Sequence, residues 1–181
     1  MNELYEKSSL KIENDFNDYI EELTMFIDED EENFLNNVSL SFEIKYEEDY
    51  YACAYFDNSQ INFNLYHQLN TKAQLIIIHE LAHLVSYRYL NLTNHCLEFA
   101  IINYCLVRKL INQKKHYFRS YDIHEDSHYY FISINPHFFD NLINSISFFS
   151  LEDLSKKAKR IADGIRKQSI KINLGSLLNE E

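Results

Sequence analysis

Glycine occurs twice and proline once in 181 residues, and tryptophan is missing altogether. So thin a supply of glycine and proline excludes flexible inter-domain linkers and the glycine-rich loops that cradle phosphates. Cysteine is scarce and odd in number. Cys53, Cys96 and Cys105 lie in apolar surroundings and form no C-x-x-C pair. Reduced thiols in the core of a cytoplasmic protein are therefore expected, rather than oxidised staples. No apolar run reaches the roughly 18 residues that a membrane helix needs. The opening "MNELYEKSSL" is acidic and lacks the apolar stretch of a secretory signal. The expectation is a cytoplasmic protein with no membrane partner.

Hydrophobic residues make up 46% of the chain and aromatic residues 15%, enough for one domain with a real core. The net charge of −11 is unevenly spread. Acidic residues crowd positions 1–50, where only Lys7, Lys11 and Lys45 oppose them, whereas "LSKKAKRIADGIRKQSIKI" near the end is basic. A chain this acidic is a poor general binder of polyanions, so nucleic acid is a disfavoured partner. The basic run reads as a solvated helix face that complements the acidic half.

Ile12, Phe16, Tyr19, Leu23 and Phe26 recur at helical spacing, which predicts an amphipathic helix ending in the acidic run "DEDEE". Val38, Leu40, Phe42, Ile44 and Tyr46 alternate with polar residues and predict a half-buried strand. Turns at "YEEDY" and "DNSQ" separate it from "YACAYF" and from a third alternating run, Ile61, Phe63 and Leu65. A three-stranded antiparallel meander is the economical arrangement, with Cys53 on its middle strand as a small buried residue. A helix follows from about Thr71, its N-cap, to about Tyr89, and another from about His95 to Asn112, with "NLTN" between them. "YYFISI" reads as a short strand, and Ser150 with Asp153 as a capping box ahead of a last helix. Helix, sheet and then helices make an α+β domain.

Within Leu75–Val85 the only polar residues are His79, Glu80 and His83. A helix apolar on all sides is buried, and a buried carboxylate without a partner is costly, so something must satisfy these groups. His79 and His83 are four apart and project from one face, where both imidazoles can reach one ion at about 2.0–2.1 Å. Glu80 points about 100° away round the helix, suited to a water on that ion rather than to the ion itself. This is the H-E-x-x-H arrangement, with glutamate as general base. Satisfied core histidines are the plainer alternative. Catalytic zinc usually takes three protein ligands and keeps one position open. The third is expected from "NHCLEFA", which offers His95 and Glu98 one turn apart. The plainer roles for these two are a solvent-facing histidine and a carboxylate favoured by the helix dipole. "HEDSH", with His124 and His128 four apart, reads as an exposed turn rather than a second metal site.

"INFNLYHQLN" before "IIIHELAHLV", followed by "HCLEF", resembles the SprT-like family of zinc metallopeptidases, which includes the Spartan proteases. The likeness covers about residues 40–110. It implies a zincin-like core at 37–113, with zinc held by His79, His83 and His95, Glu80 as the catalytic base, and a protein or peptide substrate. Residues 1–36 are then an N-terminal helical segment and 114–181 an extension of unassigned role. Cys96 stands where the family carries glycine, and the chain has no cysteine-rich zinc ribbon. Two rival expectations go with this one. The first is a regulatory protease similar to the ImmA family, with Glu98 as third ligand. The second is a non-enzymatic binding or inhibitor protein that keeps a structural zinc.

Overall fold

The computed structural model describes residues 3–67, 73–111 and 136–177. Helix α1 (Glu3–Thr24) buries Ile12, Phe16, Tyr19, Ile20 and Leu23, the stripe that the spacing predicts. Phe26 lies beyond its end. The acidic run does not close this helix but opens another, α2 (Glu29–Asn36). The Asp28 side chain accepts the Glu31 N–H at 2.9 Å as an N-cap, and four carboxylates fill the first turn, where the helix dipole favours negative charge.

Three strands follow, β1 (Ser39–Glu43), β2 (Ala52–Tyr55) and β3 (Gln60–Asn64). They do not form the antiparallel meander. The order is β1-β3-β2, with β2 antiparallel to β3 but β1 parallel to it. Alternation of apolar and polar residues defines which face each side chain takes, and that pattern is the same for either strand direction. Asn64 does much to hold the observed arrangement. Its buried side-chain carbonyl accepts the N–H groups of Lys45 and Tyr66, and its amide donates to the Lys45 carbonyl at 3.0 Å. The chain leaving β1 is thereby tied to the end of β3. Cys53 accordingly lies on an edge strand and is exposed, contrary to the sequence reading, whereas Cys105 is buried.

After a short 3-10 turn (Leu65–His67) comes α3 (Ala73–Leu90), close to its expected span, although Thr71 falls outside the described residues. Asn91 ends it in the left-handed region at φ 55°, with its N–H on the Tyr87 carbonyl at 2.9 Å. Helix α4 (Leu97–Ile111) starts two residues later than predicted, so His95 sits in the connection. Next come α5 (Pro136–Ser145) and the long α6 (Leu151–Leu177). Both "YYFISI" and "HEDSH", with His124 and His128, lie outside the described residues.

Ser150 caps α6 as the sequence predicts, accepting the Asp153 N–H at 3.0 Å. A second cap comes from far away in the chain. The buried Glu31 carboxylate accepts the Leu151 and Glu152 N–H groups at 2.9 and 2.8 Å. Helix α4 packs against both α3 and α6, α1 packs across α3, and α3 also meets β2. One hydrophobic core, including Leu23, Leu35, Ile61, Phe63, Ile77, Leu81, Ile101 and Leu154, runs through these elements. The architecture is α+β with a mixed sheet. Among the described residues no helix is long and apolar enough to cross a membrane.

Candidate metal centre

Helix α3 is buried nearly all round: Ile76, Ile77, Ile78, Leu81, Ala82, Leu84 and Val85 all belong to the core. Its polar exceptions between Leu75 and Val85 are half-buried His79, Glu80 at 6% exposure and His83 at 8%. One helical turn sets the two imidazoles with ring centres 4.8 Å apart. The third ring arrives from the connection between α3 and α4. His95 Nε2 lies 2.9 Å from His79 Nε2 and 3.0 Å from His83 Nε2. Phe99, in the first turn of α4, backs the group, with its ring stacked on His83 at 4.2 Å and edge-on to His79 at 5.0 Å.

Three ring nitrogens from three residues thus converge on one point, and His79, His83 and His95 are the group among the described residues able to share a metal ion. Hydrogen bonds between neutral imidazoles explain such contacts two at a time. A single cation explains all three together. Tetrahedral zinc at the usual nitrogen distance wants its ligand nitrogens roughly 3.3 Å apart, so the two contacts of His95 need to open by only a few tenths of an ångström. Three neutral imidazoles are also a donor set that suits zinc and leaves its fourth position open.

Glu80, between the two histidines on α3, is within hydrogen-bond reach of the sheet edge. Burial pushes its carboxyl up to about 8, while the Ala54 N–H on edge strand β2 donates to it and pulls the other way. Ala54 is visible in the sequence only as a small strand residue. Its contribution is a backbone group, which carries no residue signature.

Glu98, the other candidate third ligand, is engaged elsewhere. Arg166 of α6 grips it with a two-pronged guanidinium fork, Nη1 to Oε1 at 2.6 Å and Nη2 to Oε2 at 2.5 Å. Burial raises the Glu98 carboxyl, but the Arg166 bonds outweigh it and the net shift is downward. Cys96 occupies the N-cap position of α4. Its carbonyl accepts the Ala100 N–H at 3.0 Å, and its sulfur takes hydrogen bonds from the Glu98 and Phe99 N–H groups. Cys53 stands outside the histidine group. Burial, and the negative charges of Glu80 and Glu43, push its thiol up, which disfavours a thiolate.

On the aromatic side of the centre, Phe56 lies with its ring 6.4 Å from that of His83 and 4.7 Å from that of Tyr87. Sequence reasoning missed Phe56, Phe99, Arg166 and the Ala54 amide. An aromatic three residues past "NHC" was the only local signal among them. No protein-family model matches this chain, and comparisons with curated proteins and with solved structures find no match either.

Proposed function

We propose that this protein is a zinc-dependent peptidase, with His79, His83 and His95 as metal ligands and Glu80 as general base. One observation carries the reading: the imidazoles of His79 and His83, in H-E-x-x-H spacing with buried Glu80 on α3, are joined by that of His95 from the next connection. The resemblance to SprT-like peptidases supports the same roles for the same four residues. Bound zinc would polarise the scissile carbonyl and lower the pKa of a bound water.

The chain's own groups do the rest. Glu80 accepts the water's proton at its carboxylate and passes it to the leaving amine. The Ala54 N–H holds that carboxylate at the sheet edge, which limits its rotation. Its raised pKa makes it a stronger base than an exposed glutamate, and a divalent cation nearby would draw the value back towards neutrality. Phe99 behind the imidazoles and the apolar residues around α3 keep water away from the back of the centre.

Glu98 serves less well as third ligand, because coordination would break a two-bond ion pair with Arg166. The test is native mass spectrometry of purified protein with zinc at neutral pH, followed by hydrolysis of an unstructured protein substrate. One zinc per chain and hydrolysis lost in Glu80→Gln are expected. Protein that takes up no zinc would overturn the reading, and zinc uptake without any hydrolysis would leave a structural metal protein.

A further inference from the structure

The three histidines are not held equally. His79 and His83 ride on α3, whose backbone bonds and buried faces fix them. His95 lies in the 91–96 connection, outside any helix, so its place depends on how that connection is anchored. At its start stands Asn91, with left-handed backbone. At its end, Cys96 caps α4, and two residues further on Glu98 is gripped by Arg166. Arg166 comes from 68 positions further along the chain, on the C-terminal helix to which the sequence assigned no role.

We infer that Arg166 is a positioning residue for the metal centre: through Glu98 it fixes the first turn of α4 and with it the third ligand, His95. The inference rests on the metal-centre reading above.

Three features argue for it. The fork is bidentate, and two parallel bonds from a planar guanidinium fix direction as well as distance, which a single ammonium contact does not. Offsetting the burial of Glu98 does not by itself call for a fork, since one cationic contact beside the first-turn dipole also lowers a carboxyl. Nor is the ion pair needed to dock α6. Leu151, Leu154, Ala158 and Ala162 are all fully buried, and Glu31 and Ser150 secure the N-terminus of the helix. The pair adds restraint where α6 meets the first turn of α4, next to the segment that carries His95. Arg166 is itself braced by Asp163 one turn earlier, at 3.4 Å, although its side chain is 46% exposed.

The arrangement is that of outer partners around zinc sites, which orient a ligand without touching the metal and whose loss costs roughly 10–100-fold in affinity or activity. Here the orienting bond acts on the backbone turn next to the ligand rather than on the imidazole itself.

The experiment is zinc competition against a chromophoric chelator for the full chain and its Arg166→Ala and Arg166→Lys variants. It is paired with the visible spectrum of the cobalt-substituted proteins and the melting temperature of the metal-free proteins. Arg166→Ala should bind zinc about 10–100-fold more weakly. Arg166→Lys, which keeps the charge and loses the fork, should fall between it and the parent. The cobalt bands of both variants should shift or broaden as His95 loosens. Variants that match the parent in chelator competition and cobalt spectrum would overturn the inference, and a lowered melting temperature with unchanged zinc affinity would make the pair a plain staple. Should Arg166→Ala fail to fold, Arg166→Lys decides alone. A parent protein that takes up no zinc sinks the peptidase reading first, and the role of Arg166 with it. Normal zinc uptake by the parent with indifferent variants sinks only the role of Arg166.

Discussion

Glu80 and Glu98 sit on neighbouring helices and are buried almost equally, at 6% and 7% exposure. Their carboxyls nevertheless shift in opposite directions. Burial raises Glu80 to about 8, opposed by the Ala54 N–H, and Glu98 falls because the grip of Arg166 on both its oxygens outweighs its burial. Burial alone therefore does not decide whether a carboxylate is reactive. The partner does. A buried acid matched by an arginine is committed to holding structure, whereas one left with a single backbone N–H keeps its capacity to take up a proton.

The comparison breaks most severely if the histidines hold no metal, because Glu80 then has nothing to act on. His83→Ala removes one of the two proposed ligands on α3. It should weaken zinc binding well beyond the roughly 100-fold reserved for outer partners, as read by chelator competition. Zinc binding left intact would mean that the metal, if any, lies elsewhere.

Next in size is the separation of base from ligand. Glu80→Gln keeps the shape and leaves the three imidazoles in place, so zinc should remain bound while hydrolysis drops by about 10²–10⁴-fold. The matching change at the other carboxylate, Glu98→Gln, should reverse the pattern, with weaker zinc binding and a smaller fall in turnover at saturating zinc. If Glu98→Gln abolished turnover while Glu80→Gln did not, the two roles would have to be exchanged.

The contrast between these carboxylates was only half legible in the sequence. Glu80 stood out because eight of the eleven residues from Leu75 to Val85 are apolar, so three polar side chains there demanded a reason. The convergence of His79, His83 and His95 was likewise within reach of spacing, since a reversal at "NLTN" brings the chain back after a known number of residues. Arg166 was not within reach. It belongs to a basic stretch in which Lys156, Lys159, Arg160 and Lys167 are exposed as a solvated face should be, and Arg166, itself 46% exposed, carries no local mark of the reach to Glu98. Strand order was hidden for a different reason. The alternation at Leu40, Phe42, Ile61 and Phe63 says which face is apolar but not which edges pair. The crossover that makes β1 parallel to β3 depends on the Asn64 side chain reaching Lys45. The acidic run misled the reading because a helix start rich in carboxylates looks, by composition alone, like a solvated terminus.

A third test sharpens the comparison through pH, on metal-free protein. With its pKa raised to about 8, folded Glu80 keeps a proton that the unfolded chain releases near 4.5. Between those values the native state binds more protons than the unfolded one, so this group makes stability fall as pH rises. Glu80→Gln cannot ionise and removes that slope. Measured by urea unfolding in the presence of a chelator, the variant should gain on the parent by on the order of 2 kcal/mol between about pH 6 and pH 8. The two proteins differ at this one group, so contributions common to both cancel in the difference. A gap that stays constant with pH would show that Glu80 has a cationic partner after all, like Glu98.

The smallest effect comes from a third buried carboxylate, Glu31, at 3% exposure, which extends the comparison to a partner of another kind. Its two oxygens are taken by the Leu151 and Glu152 N–H groups at the start of α6, so it is matched neither by a guanidinium nor left with one N–H. Holding two backbone donors at a helix start makes it a cap supplied from 120 residues away in the chain. Glu31→Gln keeps an oxygen for one donor but turns an amide NH2 towards the other. The loss should be about 1 kcal/mol of global stability in urea unfolding at neutral pH, the usual range for a helix cap. Zinc affinity should stay unchanged, because Arg166 meets Glu98 some four turns further along α6, where the buried Leu154, Ala158 and Ala162 still hold the helix in place. A fall in zinc affinity as large as that of Arg166→Ala would mean that α6 moves as one rigid rod. The restraint on His95 would then begin at Glu31 rather than at the ion pair.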